Sequence, residues 1–81
     1  MSTCELQKEI AGMISEISGV GKDMDREANL YLDLGVASFH ALQLLTELEE
    51  RYSLQIPDDE FVEATSVAKI TSMIEKLKNG Q

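Results

Sequence analysis

Three stretches of this 81-residue chain carry apolar side chains at helical spacing, and nothing in it alternates in the manner of a strand. That periodicity restricts the chain to an all-α fold. Leu6, Ile10, Met13, Ile14 and Ile17 predict a first helix over about Thr3–Ile17. Ser2 with Glu5 has the spacing of a capping box, and Gly19-Val20-Gly21 ends the helix. Ala41, Leu42, Leu44, Leu45, Leu48 and Tyr52 form one apolar band on a second helix over about Ser38–Tyr52. Val67, Ile70, Met73, Ile74 and Leu77 form the buried stripe of a last helix, capped by Thr65 or Ser66. Lys76 and Lys78 suit its C-terminal dipole, and Gly80 its end. Between the last two, Pro57 breaks the chain, and Asp58, Asp59 and Glu60 suit the first turn of a short helix carrying Phe61 and Val62. The expectation is a single domain over 1–81, a bundle of three main helices and one short helix, with a long loop between helices one and two.

That loop, residues 20–36, has no period of its own. Leu30, Leu32 and Leu34 are expected to pin it to the core. Asp23, Asp25 and Glu27 alternate like calcium ligands, but the loop template fails. Counted from Asp23, its sixth position is Ala28 instead of glycine and its twelfth is Leu34 instead of glutamate. No metal site is expected. The loop ends in Asp33-Leu34-Gly35-Val36-Ala37, which delivers a lone serine, Ser38, to the first position of helix two. A helix start has unpaired N–H groups and about half a positive charge, so it can seat an anion, and a hydroxyl placed there can carry a phosphodiester. Ser38 lies at the edge of the apolar band, whereas Phe39 projects from the polar side, where an aromatic ring is unusual.

Fifteen acidic against seven basic side chains give a formal charge of −8, which argues against nucleic acid as a partner and favours proteins with basic docking patches. One cysteine and one histidine can form neither an internal disulfide nor a zinc site, and Cys4 is expected to be an ordinary free thiol in a reducing cytoplasm. No apolar run is long enough to cross a membrane, and no signal peptide is evident. A cytoplasmic monomer is expected. No second nucleophile, base or carboxylate pair accompanies His40, so no catalytic residue is assigned.

Asp33-Leu34-Gly35, then Ser38 and a leucine-rich helix, resembles the attachment site of acyl carrier proteins. The resemblance runs over about residues 30–77 without gaps. It takes in Leu42, Leu45 and Leu48, Glu49-Glu50-Arg51-Tyr52, Ile56-Pro57-Asp58-Asp59-Glu60 and Thr65-Ser66-Val67. Helix one matches only in kind. The resemblance implies that Ser38 bears a covalent 4′-phosphopantetheine arm whose thiol holds acyl intermediates, and that the protein passes them between partner enzymes of fatty-acid, polyketide or related biosynthesis. It also implies a phosphopantetheinyl transferase and an acyl- or aminoacyl-loading ligase or synthase as partners. Phe39, His40, Gln43, Thr46, Glu47 and Glu50 are the expected partner-binding residues.

Departures from the family pattern bear on specificity. Ala37 stands where an aspartate usually precedes the serine, His40 and Gln43 where acidic residues are usual, and Thr46 where methionine is frequent. Losing a capping aspartate costs about 1 kcal/mol. Ser38 itself is expected to cap the helix while unmodified. These changes point to a specialised carrier with partners other than the housekeeping fatty-acid enzymes. Two other readings stand beside it. Ser38-Phe39 and Glu60-Phe61 resemble D-alanyl or other aminoacyl carriers, while Ala37 allows an unmodified carrier-like interaction module. An acidic ion-binding bundle is a third class, which calcium titration would exclude.

Overall fold

A computed structural model describes residues 2–79. Its four helices are α1 (Thr3–Ser18), α2 (Ser38–Tyr52), α3 (Asp58–Glu63) and α4 (Val67–Asn79), with no strand among the described residues. The expected all-α bundle of three main helices and one short one is what forms. Gly80 lies outside the described residues.

Each boundary has a local cause. The Ser2 hydroxyl oxygen accepts the Glu5 N–H at 3.2 Å, and Gly19, at φ 83°, ends α1 by donating its N–H to the Ser15 carbonyl. Ser66 caps α4, its hydroxyl accepting the Lys69 N–H at 3.2 Å. Ser53 closes α2 in the left-handed region at φ 54°, a conformation more often taken by glycine. Beyond it, the Glu49 carboxylate accepts the Ile56 N–H at 2.9 Å and so fixes the turn into α3.

Helix α1 packs against both α2 and α4, while α3 packs against α4. The core is built from Leu6, Ile10 and Ile14 of α1, Leu44 and Leu48 of α2, and Val67, Ile70 and Ile74 of α4. Leu30 and Phe61 complete it. Only Leu44 and Leu48 of α2 are fully buried, because α1 covers one side of that helix and no helix covers the other. The apolar band on α2 is therefore narrower than its sequence pattern suggests. Leu42 is 67% exposed instead of buried.

The long loop is held by its backbone. Leu30 donates its N–H to the Thr65 carbonyl at 2.8 Å, and Ala68 donates to the Arg26 carbonyl at 2.9 Å, so the loop is bonded to the start of α4. Leu30 is fully buried and Leu34 half-buried, as expected of residues that pin the loop. Leu32 does not pin it. The Asn29 side-chain carbonyl accepts both the Tyr31 and Leu32 N–H groups at 2.9 Å, turning the chain so that Leu32 faces solvent, 85% exposed.

Candidate functional site

Ser38 stands at the end of a rigid approach. Asn29 and Asp33 form a closed knot. The Asp33 carboxylate accepts the Asn29 N–H at 2.9 Å, while the Asn29 main-chain carbonyl accepts the Asp33 N–H at 2.9 Å and the Leu34 N–H at 3.2 Å. Val36, buried, donates its N–H to the Leu30 carbonyl at 2.8 Å. Gly35 lies between these anchors at φ 74°, where an L side chain would be strained. The role of Asn29 was not read from the sequence, although the spacing Asn29…Asp33 is a signal for such a turn.

Ala37 is the N-cap, in extended conformation at φ −83° and ψ 159°, and Ser38 is the first helical residue. Ser38 therefore does not cap the helix, which corrects the expectation that its hydroxyl would. The Ala37 carbonyl accepts the His40 N–H at 3.0 Å and the Ala41 N–H at 3.2 Å. Ala37 has no side-chain acceptor, and the Ser38 and Phe39 N–H groups have no hydrogen-bond partner among the described residues. The Ser38 hydroxyl is exposed and likewise makes no hydrogen bond within this set. An accessible hydroxyl beside two free N–H groups at the positive end of a fifteen-residue helix fits a phosphodiester.

The predicted partner residues divide. Phe39, Gln43, Thr46, Glu47 and Glu50 are all exposed, and with Leu42 they follow the i, i+3, i+4, i+7, i+8, i+11 spacing of one helix face. Phe39 is 64% exposed. His40 is not on this face. It is half-buried, its Nδ1 accepts the Ala37 N–H at 3.4 Å, and its ring sits against that of Phe39 with centroids 4.1 Å apart. The face has two halves. No acidic residue occurs from Ser38 through Thr46, and Glu47, Glu49 and Glu50 follow. Glu49 is spent on the Ile56 N–H, which leaves Glu47 and Glu50 as the face's free charges.

No cluster of three or more potential metal ligands occurs among the described residues. Cys4 is exposed and free of any disulfide.

A four-helix domain with an unencumbered serine at the mouth of its second helix belongs to the class of small carrier domains. The comparisons with known proteins agree. The family model described as "Phosphopantetheine attachment site" matches residues 8–74, so the chain belongs to that family and carries 4′-phosphopantetheine covalently. The match begins well inside α1, earlier than the sequence motifs had reached. An acyl carrier protein from Akkermansia muciniphila is 29% identical over 79 residues, covering 96% of this chain and 99% of the relative. An acyl carrier protein from Campylobacter curvus is 31% identical over 65 residues, 80% of this chain and 84% of the relative. A "Non-reducing polyketide synthase pks11" from Talaromyces marneffei is 34% identical over 64 residues, 78% of this chain but only 2% of that much longer protein. Domains of this family are carriers and are not themselves catalytic.

Proposed function

We propose that this protein carries acyl intermediates as thioesters on a phosphopantetheine arm esterified to Ser38, moving them between the enzymes of a specialised fatty-acid or polyketide-type pathway. The observation that carries this reading is the exposed Ser38 hydroxyl beside the free N–H groups of Ser38 and Phe39. When attached, the arm supplies a terminal thiol on which an acyl group is held. The chain's own part is to present the hydroxyl, to stabilise the phosphodiester charge at the helix start, and to offer partners a docking face.

That face is Phe39, Leu42, Gln43, Thr46, Glu47 and Glu50, with His40 beside it supporting the Phe39 ring. Its uncharged first half beside Ser38 supports a partner set different from one recruited by acidic residues around the serine. Two relatives named acyl carrier proteins and one polyketide synthase support acyl cargo. The transferase and the loading enzyme act in the cytoplasm. No described helix is long and apolar enough to cross a membrane.

Coexpression with a housekeeping or a broad-specificity phosphopantetheinyl transferase, followed by intact mass measurement, tests this reading. The wild type should gain the mass of about one arm and Ser38→Ala none, with loading strongest by the broad enzyme. No gain with either transferase would leave an unmodified interaction module. Equal loading by both, with normal elongation by fatty-acid enzymes, would remove the claim of specialisation.

A further inference from the structure

We propose that His40 is a positioning residue for arm attachment: its imidazole clamps the approach loop onto the first turn of α2 and so fixes where the Ser38 hydroxyl stands. This rests on the reading of Ser38 as the attachment site.

Three observations carry it. First, the Ala37 N–H follows directly on buried Val36 and has one partner among the described residues, His40 Nδ1 at 3.4 Å. His40 is the third helical residue, the place from which a glutamate or glutamine side chain reaches back to the N-cap N–H in a capping box. An imidazole does so here. The other half of such a box is missing, because the Ala37 methyl can accept nothing.

Second, the side chain sits where both helices and the loop meet. It lines a small apolar crevice with Ile14 and Ile17 of α1, Val36 of the loop and Leu44 of α2, and Phe39 lies against it at an interplanar angle of 51°. His40 thus stands at the junction of both helices and the loop that delivers the serine.

Third, the clamp engages an N–H that neither a phosphodiester at Ser38 nor a side-chain cap at position 37 would use. A side-chain cap at position 37 would take the N–H of Phe39 or His40. The clamp works two or three residues earlier, on the Ala37 N–H, and leaves those of Ser38 and Phe39 free. For Nδ1 to accept, the ring must be neutral with its proton on Nε2.

The experiment compares unmodified wild type, His40→Leu and His40→Gln. Leucine keeps apolar bulk but has no acceptor, whereas glutamine retains the acceptor of a capping box. Hydrogen exchange at the Ala37 amide should quicken in His40→Leu, by at most about the fivefold that one ordinary hydrogen bond is worth because this one is long at 3.4 Å, and return towards wild type in His40→Gln. With a transferase that loads the wild type, kcat/KM should fall severalfold for His40→Leu and be rescued by His40→Gln, while melting temperatures confirm that all three fold. The chain has one histidine, so its imidazole ¹⁵N signals are unambiguous and should report the Nε2–H tautomer.

Wild-type exchange and loading in His40→Leu would overturn the clamp. Defective loading in His40→Gln despite a protected Ala37 amide would also overturn it, making the ring a direct enzyme contact. Failure of the wild type itself to be loaded overturns the attachment reading and this role together.

Discussion

The methyl group of Ala37 leaves the first turn of α2 short of one acceptor. The backbone there is already extended, at φ −83° and ψ 159°, which is what an aspartate cap requires. Ala37→Asp should therefore fit without rearrangement and stabilise the fold by about 1 kcal/mol, raising the melting temperature by about 4–8 °C. It should also improve loading by a housekeeping transferase. An unchanged thermal denaturation curve together with an unchanged loading rate would refute both expectations. The sequence marked Ala37 as a departure, but it could not show that His40 partly makes up for it. That depends on α1 standing close enough for Ile14 and Ile17 to line one crevice with His40.

Among the elements, the loop between α1 and α2 departs furthest from what residue type suggests. Its leucines look equivalent in sequence, yet Leu30 is fully buried and Leu32 is 85% exposed. Leu30→Ala should cost about 2–5 kcal/mol in chemical denaturation, and Leu32→Ala less than about 0.5 kcal/mol. Comparable losses at the two positions would contradict the turn that Asn29 imposes. Helix α2 gives the same lesson. Its heptad-like leucines predicted the helix correctly, but which of them touch anything depends on the helices beside it. Leu42 thus passes from the expected core to the exposed face that also holds Phe39.

Across the whole molecule, which measures 32 × 24 × 19 Å, a polar cluster ties the end of α2 to α1 and α4. The Tyr52 hydroxyl donates to Glu9 Oε1 at 2.8 Å, Arg51 lies 3.6 Å from the same oxygen, and the Lys78 ammonium stands 5.6 Å from the centre of the Tyr52 ring. Burial of the phenol, followed by its hydrogen bond to Glu9, pushes the Tyr52 pKa up to about 12. A raised folded-state pKa means that the folded chain holds its proton longer. The resulting stabilisation is fully present below the ordinary tyrosine value of about 10 and is lost as pH rises through about 12. Wild type should accordingly lose stability between these values more steeply than Tyr52→Phe, as followed by denaturation midpoints. Parallel curves would show that the hydroxyl contributes nothing. The excess of eight negative charges acts at this same scale, and it would speed encounter with any partner bearing a basic patch, more so at low salt.

Local sequence signals, periodicity together with caps and the Pro57 break, determined the helix count, nearly every boundary, and the presence of Ser38 at a helix start, because each of these follows from residues within a few positions of one another. The family pattern was legible for a related reason, since its short motifs lie at fixed spacing along the chain. Only the tertiary structure decided which apolar side chains are covered, that Asn29 and Asp33 lock the approach loop, and that His40 turns inward while Phe39 and Leu42 face out. Burial is a property of what stands opposite a side chain: for Leu30 and His40 that neighbour lies on another element of the chain, and for Leu42 there is none.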